Sequence, residues 1–291
     1  MKITKLEKPY RVENGKNFRL KDFDPADTGH IHSEEEAKKH LQKYVAHMED
    51  LQAKLYAQDR WALLLIFQAM DAGGKDGTIK HVMSGVNPEG CEVHSFKAPS
   101  DTELQHDFLW RTTINLPERG HIGIFNRSYY EEVLVVRVHP EMLKNEKLSG
   151  ELVTKNVWKE RFEDIHAFER HMARNGTVIR KFFLHLSKKE QKKRFLARFD
   201  EPEKHWKFSE ADIRERGYWD NYQEAFEDMI RHTASKHAPW YVVPADNKWF
   251  TRAVVAGAIV DALEGLQLSY PKLSAAQKKG MAEARRKLAR E

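Results

Sequence analysis

The chain has 291 residues, 41% hydrophobic and 32% charged, which fits a globular protein large enough to bury a substantial core. Its single cysteine, Cys91, excludes an intramolecular disulfide and a cysteine-only metal site and fits a reducing compartment. The formal charge of +5 suggests an anionic partner, and because no apolar run approaches the roughly 18 residues of a membrane span, we expect a cytoplasmic protein without a membrane partner.

The first part of the chain predicts an arm followed by a long helix. Residues 1–32 are polar and irregular, so we expect an N-terminal arm laid over the surface. Ser33 and Glu36 have the spacing of a capping box, and apolar residues follow at helical intervals. Residues 61–67 (WALLLIF) are continuously apolar, which is typical of a strand covered on both faces.

The rest of the chain alternates between predicted strands and helices. Further strands are predicted at residues 91–97, 121–125, 177–186 and 240–243. Helices are predicted at residues 78–86, after a cap at Ser100 and Glu103, at residues 151–174, after a cap at Ser187 and Glu190, and at residues 250–266. This alternation predicts a three-layer α/β/α domain with a parallel sheet over residues 33–267. Residues 268–291 are expected to form a solvated basic helix.

A glycine-rich stretch, FQAMDAGGKDGTIK, joins the first long strand to a helix. It resembles the phosphate-binding pattern G-x-x-x-x-G-K-[ST], but Ala69 replaces the first glycine and Asp76 replaces the Ser or Thr. Glycines can turn backbone N–H groups toward phosphate oxygens, the helix start adds a positive dipole, and Lys75 adds a cation. The alternative is an ordinary strand-to-helix turn with an incidental lysine.

The departures from the pattern concern the metal. Without a hydroxyl after Lys75, the usual Ser or Thr ligand for magnesium is missing. Asp71 lies inside the loop, where it would repel a bare phosphate unless a cation lay between them. We therefore expect Asp71 to be a metal ligand, with Thr78 as an alternative hydroxyl.

The third strand ends at Asn126 and Arg127, which we expect at the same edge of the sheet as the glycine loop, beyond the carboxyl ends of the strands. Phosphate-loop enzymes usually place a carboxylate here to help hold magnesium, whereas this chain has the neutral Asn126. Arg127 could bind phosphate oxygens. Alternatively, it pairs with Glu131 or Glu132 on the following turn.

Residues 187–208 carry eight Lys or Arg against four Asp or Glu, mixed with four aromatic residues. A charge run is most often a solvated helix face. Because this run follows a strand end beside the predicted phosphate site, we expect a helical lid over a polyanion at about residues 188–216.

Together these stretches resemble the family-2 polyphosphate kinases, from about residue 10 to residue 267. The matching segments are MDAGGKDGTIKHV, FNRSYYEEVLVVRVHPE, KFFLHLSKKEQKKRF and EKHWKFSEADI. The resemblance implies a phosphate-loop kinase-like fold and phosphoryl transfer between inorganic polyphosphate and nucleotides. Mg²⁺ is the implied cofactor, with Mn²⁺ as an alternative, and a homo-oligomer is expected.

The resemblance also implies roles for individual residues. Asp71 and Asn126 would hold the metal, and Asp71, Lys75 and Arg127 would be catalytic. Phosphate or polyphosphate contacts are implied at Gly73, Gly74, Asp76, Gly77, Thr78, Lys192, Lys193, Arg194 and Arg198. The form of the 126–131 segment is similar to the subgroup acting on nucleoside mono- and diphosphates, with Glu131 as a specificity residue.

Two other functions remain open at this point. The first is an ATP-dependent nucleotide or small-molecule kinase of the same fold class. The second is a non-catalytic polyanion binder, which would need the basic segments but neither Asp71 nor Arg127. No recognised nucleic-acid module occurs in the sequence, so no nucleic-acid partner is expected.

Overall fold

The computed structural model, described here for residues 5–291, is built around one mixed sheet. Its strands are β1 Arg11–Val12, β2 Ala62–Gln68, β3 Cys91–Ser95, β4 Ile122–Asn126, β5 Thr177–His185 and β6 Trp240–Pro244. They lie in the order β1-β6-β5-β2-β4-β3, with β1 antiparallel to β6 and the remaining neighbours parallel. The predicted parallel α/β sheet is confirmed.

Ten α-helices occur in the described part of the chain. They are α1 Glu34–Gln58, α2 Lys75–Val82, α3 Trp110–Thr113, α4 Val135–Val138, α5 Val157–Arg174, α6 Lys188–Asp200, α7 Glu210–Glu215, α8 Trp219–Thr233, α9 Lys248–Glu264 and α10 Ala275–Leu288. Short 3₁₀ turns connect several of them.

Helices cover both faces of the sheet, because side chains of β2 point alternately to opposite sides. Leu63, Leu65 and Phe67 pack with α1, α2 and α9 in one core cluster. Leu64 and Ile66 pack with α5 and α8 in the other. Since β2 is apolar at every position from 62 to 67, it can be buried on both faces, and the three-layer architecture follows.

The N-terminal arm contributes more than a surface cover. Tyr10, Phe18 and Ile31 are buried in the two cores, and β1 pairs with β6. The sequence pattern does not predict β1, because two residues are too few to show a period of two. Residues 1–4 of the predicted arm lie outside the described residues.

Two predicted helices differ from the structure. The capping box at Ser100 and Glu103 forms, but only a 3₁₀ turn at Glu103–Gln105 follows it before His106 returns to extended backbone. The helix expected over residues 151–174 begins at Val157, since residues 150–152 form a separate 3₁₀ turn. Both errors lie at helix starts, where local caps do not reveal how far a helix continues.

The C-terminal helix α10 has a complete capping box at Ser274 and Gln277 and is exposed along its whole length. No helix in residues 5–291 combines the length and the apolar character that crossing a membrane requires.

Candidate active site

The glycine loop connects β2 to α2 through backbone conformations that favour glycine. Gly74, the N-cap of α2, has φ +92°. A Cβ on Gly73 would lie 2.5 Å from the Cβ of Ala69, closer than carbon atoms can approach. Gly77 lies inside α2, and a Cβ there would meet nothing within 4 Å. Gly73 and Gly74 therefore shape the loop, whereas Gly77 leaves open space beside the helix.

Lys75 is the first residue of α2 and lies at the centre of the loop. Its Nζ donates a hydrogen bond to the Ala69 carbonyl at 3.0 Å, which places the ammonium group across the loop. Burial and then the charge of Arg127 lower the pKa of Lys75, whereas Asp71 works in the opposite direction. Burial makes the charged form of Lys75 costly, and an anion bound beside the ammonium group would offset that cost.

Arg127 follows the end of β4 and lies between two carboxyl groups. Its Nη2 is 3.2 Å from Asp71 Oδ1, and its Nη1 is 3.7 Å from Glu131 Oε2. Burial opposes its charge, but Glu131 and Asp71 outweigh that effect and raise the pKa of Arg127. Arg127 pairs with Glu131, as one of the two alternatives predicted, and it also reaches Asp71 of the glycine loop, whereas its binding of phosphate oxygens stays a prediction.

The backbone of Arg127 is in the left-handed region, with φ +65°. This conformation costs an L-residue about 1–2 kcal/mol and persists where the surroundings hold it. The Arg127 amide donates to the Phe67 carbonyl at 3.0 Å, which ties the turn to β2. The hydroxyl of Ser128 then accepts from the Tyr130 amide and caps the 3₁₀ turn Tyr129–Val133.

A buried polar cluster anchors this turn from below. Lys181 of β5 is fully buried and donates to Glu169 at 2.6 Å, to the Tyr130 hydroxyl at 2.9 Å and to the Thr233 carbonyl at 2.9 Å. Tyr129 and Tyr130 both donate to Glu169. Burial raises the pKa of both phenols and keeps them protonated as donors. Tyr129 and Tyr130, which lie between Arg127 and Glu131 in the chain, are therefore fixed to the core.

Asn126 ends β4 and contacts the first turn of α2. Its Nδ2 donates to Asp76 Oδ1 at 2.6 Å, so the Asp76 side chain is directed at a predicted metal ligand. Contact of Asp76 with phosphate stays a prediction, and because a carboxyl group repels phosphate, this contact would be made by the backbone amide of Asp76. No group of three or more His, Cys, Asp or Glu suited to a metal occurs within residues 5–291.

A cleft of about 730 Å³, here called the main cleft, lies above the glycine loop. Its lining includes loop residues 71–78, the ends of β3 and β4, and parts of α6 and α9. Nine cationic side chains line it: Lys75, Lys97, Arg127, Arg194, Arg198, Lys204, Lys207, Lys248 and Arg252. Asp71, Asp76 and Asp212 are the acidic members, so the cleft suits a ligand with several negative charges.

Comparison with known proteins agrees with this geometry. The family model of polyphosphate kinase 2 matches residues 31–270. The chain belongs to the polyphosphate kinase 2 family. It is 53% identical to an ADP-polyphosphate phosphotransferase of Rhodopseudomonas palustris, over 97% of this chain and 98% of the relative. It is 46% identical to an AMP/ADP-polyphosphate phosphotransferase of Meiothermus ruber, over 94% and 98%.

Among solved structures, the chain resembles the polyphosphate kinase 2 of Arthrobacter aurescens TC1, with a TM-score of 0.87 and 39% identity over 97% of this chain and 98% of that one. Polyphosphate kinases transfer phosphoryl groups between polyphosphate and nucleotides. Membership of this family therefore confirms the predicted enzyme class, and the structural match confirms the predicted fold. The non-catalytic polyanion binder is set aside.

In this polyphosphate kinase the predicted lid cations do not share one face of α6. Lys192 and Lys193 are exposed and lie outside the main cleft, beside Leu196 and Asp200. Arg194 and Arg198 line the cleft but are already paired. Only two of the four predicted polyphosphate contacts therefore line the main cleft, because helical neighbours at i and i+1 point about 100° apart, and polyphosphate binding by all four stays a prediction.

Arg194 is buried under the glycine loop. It donates to the Ala72 carbonyl at 3.0 Å and to the Ala245 carbonyl at 2.5 Å, and its Nε bonds Glu190 at 3.0 Å. Gln191 also donates to the Asp71 carbonyl at 3.0 Å. The start of the predicted lid is thus packed against the loop, and Arg194 joins the loop to the end of β6.

The exposed part of the predicted lid follows α6. Arg198 donates to the Lys207 carbonyl at 2.8 Å and pairs with Asp212 at 2.7 Å, which folds residues 199–212 back over the cleft. Trp206 is 78% exposed, and Phe199 and Phe208 are also exposed. This segment has few buried apolar contacts, as expected of an element that can move.

Several residues that line the main cleft belong to no motif of the sequence and were not predicted. Lys97 follows β3, whereas Lys248 and Arg252 lie in the first turns of α9. Burial is the main effect that lowers the pKa of both Lys248 and Arg252, and for Lys248 the neighbouring Arg194 adds to it. A signal existed for α9: its N-terminus follows a strand of the parallel sheet, where ligands gather.

A second cavity of about 300 Å³, here called the side pocket, adjoins the main cleft. The two share Lys97, Ala98 and Arg127. The side pocket has apolar walls from Leu104, Phe108, Val135, Val136 and Met142. Glu131 lines it and accepts from Gln68 at 3.0 Å, so the predicted specificity residue lies in the side pocket, next to Arg127.

Proposed function

We propose that this polyphosphate kinase phosphorylates AMP to ADP and ADP to ATP, with inorganic polyphosphate as donor and Mg²⁺ as cofactor, and that it accepts guanine nucleotides as well. The supporting observation is the pairing of a cationic cleft with a smaller, more apolar pocket that meets it at Arg127. A long polyanion needs the first kind of site, and a nucleoside needs the second.

In this proposal the polyphosphate lies in the main cleft over the glycine loop. Backbone N–H groups at the start of α2 and the Lys75 ammonium contact the phosphate to be transferred. The acceptor nucleoside lies in the side pocket, with its phosphate directed toward Arg127. The terminal phosphate of the polyphosphate and the acceptor phosphate then meet at Arg127, which lines both the main cleft and the side pocket.

Asp71 of the glycine loop, Asp76 of α2 and Asn126 at the end of β4 suit Mg²⁺. Magnesium is usually bound by one or two carboxylates together with water and substrate phosphates. Asp71 and Asp76 supply two carboxyl groups, and Asn126 retains its amide oxygen after its Nδ2 bonds Asp76. When bound, Mg²⁺ neutralises charge on the transferred phosphate, and Mn²⁺ can use the same oxygens.

The protein's own residues contribute alignment and charge stabilisation. An oxygen of the acceptor phosphate forms the new bond to the terminal phosphorus of polyphosphate, the bridging P–O bond breaks, and the chain leaves one unit shorter. The acceptor phosphate is already ionised near neutral pH, so no general base is required. Lys75 and Arg127 stabilise the charge that develops between the two phosphates, and this accounts for the catalysis.

Glu131 is the proposed determinant of acceptor length. Its carboxyl group lies 3.7 Å from Arg127 and therefore close to where acceptor phosphates would meet the cleft. A negative side chain at this position disfavours an additional acceptor phosphate and so favours AMP relative to ADP. The relatives named for ADP and for AMP/ADP leave both acceptors to be tested for this chain.

The test is incubation of purified protein with polyphosphate, Mg²⁺ and each of AMP, ADP, GMP and GDP, followed by nucleotide chromatography. We expect products one phosphate longer, dependence on the metal that EDTA removes, and loss of product in Lys75→Ala. ATP as sole donor is the discriminating control. Turnover with ATP but not polyphosphate would establish the ATP-dependent kinase instead.

The remaining expectations belong to this proposal. They are a cytoplasmic location, a homo-oligomeric assembly and the absence of a nucleic-acid partner. The net charge of +5 is explained by a polyphosphate substrate, which makes a nucleic acid unnecessary as the anionic partner.

A further inference from the structure

The side pocket contains a buried carboxyl oxygen without a partner. Glu146 lines the pocket as the last residue of the 3₁₀ turn Pro140–Glu146. Its Oε2 accepts from Arg161, whereas its Oε1 is buried and has no hydrogen-bond partner within residues 5–291. An acceptor left unpaired in the interior costs about 1–3 kcal/mol, so a ligand whose donor reaches this atom would recover that free energy on binding.

The position of Glu146 is fixed by its surroundings. Arg161 has a side chain only 5% exposed and contacts Glu132 at 3.3 Å as well as Glu146. Its guanidinium lies 5.1 Å from the centre of the Phe108 ring. Because Arg161 is held by two carboxyl groups and an aromatic face, it keeps Glu146 Oε2 engaged and leaves Oε1 as the free acceptor.

The pocket walls indicate the shape of the ligand. Leu104, Phe108 and Val136 line the same cavity and offer apolar surfaces to a flat ring. The turn Glu103–Gln105, which carries Leu104, packs against the turn that ends at Glu146. A heteroaromatic ring between these walls places its polar edge within reach of a single acceptor, and a donor on that edge is needed to satisfy it.

We propose that Glu146 is a base-specificity residue, whose Oε1 accepts a hydrogen bond from the exocyclic amino group of the acceptor nucleotide's base. Adenine, which carries this amino group at C6, is therefore selected over hypoxanthine and guanine, which present a carbonyl oxygen at the same position, so guanine nucleotides are accepted but bind more weakly. This inference rests on the proposed function only in taking the side pocket as the nucleoside site.

The test is isothermal titration calorimetry of the 291-residue chain with three ligands: AMP, purine riboside 5′-monophosphate, which lacks only the amino group, and IMP. Wild-type protein should bind AMP about 10- to 100-fold more tightly than either analogue, the range expected for a hydrogen bond to a charged acceptor. In Glu146→Gln the oxygen still accepts from Arg161, but an NH₂ group replaces the free acceptor. The affinity for AMP should then fall, and IMP should bind more tightly than AMP.

A matched control separates hydrogen bonding from charge. Glu103 lines the same pocket, but its Oε2 accepts from the Ser100 amide at 2.6 Å. Glu103→Gln removes the same charge and should leave the order of the three ligands unchanged. Circular dichroism verifies folding. If Glu146→Gln does not fold, Glu146→Asp replaces it and should keep the wild-type order with weaker binding of AMP.

Equal affinity of wild-type protein for the three ligands overturns the proposal, as does an equal change for all three in Glu146→Gln. The proposed function is tested separately by chromatography of wild-type reactions with polyphosphate and AMP. AMP phosphorylation without base discrimination means that Glu146 is wrongly assigned while the function stands. If titration shows base discrimination but no phosphorylation occurs, the role of Glu146 stands and the proposed function is wrong.

Discussion

Replacement of Arg194 by alanine tests how the start of α6 serves the active site. The Arg194 side chain is only 8% exposed and bonds backbone carbonyls of the glycine loop and of the segment after β6, together with Glu190. Such a side chain is engaged in holding the protein together and has little left to offer a polyphosphate. We therefore expect Arg194→Ala to reduce stability and turnover more than polyphosphate affinity.

The magnitude follows from the bonds that are lost. Each hydrogen bond from a charged donor contributes about 1.5–3 kcal/mol, but losses at one side chain are not additive. Removing one partner of a buried ion pair typically costs about 3–5 kcal/mol, and we expect a decrease of this size in the free energy of unfolding. Because the free energy of unfolding of a native protein is about 5–15 kcal/mol in total, the variant should still fold. Turnover should fall because Arg194 no longer holds the Ala72 carbonyl, which directly follows Asp71 in the glycine loop.

The assay combines urea unfolding with steady-state kinetics at several salt concentrations. Lys207→Ala is the matched control, since Lys207 lines the same cleft but is exposed, with its Nζ 5.0 Å from the centre of the Trp206 ring. This control should change stability by less than about 0.5 kcal/mol. It should raise the polyphosphate KM and reduce the salt slope by about one, as expected for the loss of one phosphate contact.

The reasoning is refuted if Arg194→Ala unfolds at the wild-type urea concentration and instead flattens the salt dependence as Lys207→Ala does. Arg194 would then be a direct polyphosphate ligand, and its bonds to Ala72 and Ala245 would be dispensable.

Four further predictions concern the site and the sheet. Asp71→Asn should abolish turnover while the circular dichroism spectrum is unchanged, and normal rates at saturating Mg²⁺ would contradict its metal role. Lys75→Ala should slow turnover by about 10²–10⁴ through lost transition-state stabilisation, and near wild-type kcat would return the loop to an ordinary turn. Glu131→Asn should lower kcat/KM for AMP more than for ADP, whereas equal losses would remove its role in specificity. Burial lowers the pKa of His185 from 6.5 to about 4, although the charge of Asp246 acts in the opposite direction. The free energy of unfolding should therefore fall by about 3 kcal/mol as pH falls from 6.5 to 4. Urea titrations of His185→Gln should lack this part of the pH dependence, and the same pH dependence in both proteins would exclude a contribution from His185.

The sequence was sufficient to predict which strand ends form the site. In a parallel sheet, neighbouring strands end at the same edge, and β2 and β4 are in register from Leu63 opposite Ile122 to Phe67 opposite Asn126. The approach of Asp71 to Arg127 follows from that register. Glycine and lysine spacing likewise predicted the loop, because backbone conformation there is a local property.

The orientation of α6 could not be predicted in the same way. A helical pattern of charges shows which residues share a face, but not which face packs against the protein. Arg194 is buried because Ala72 and Ala245, distant in the sequence, offer it carbonyl oxygens. Lys97 and Lys248 were missed for a related reason. They come from unrelated segments and share no motif with the glycine loop.

The buried pair of Lys181 and Glu169 has a consequence for how this family can diverge. Both side chains are fully buried, and the pair also binds Tyr130, three residues after the arginine of the site. A change at either member alone leaves an uncompensated charge in the core, whereas a joint change to apolar residues of similar volume is tolerated far better. Lineages that lose one should therefore be found to have lost both, and a graft of the 126–131 segment onto another sheet should succeed only when the lysine and the glutamate are transferred with it.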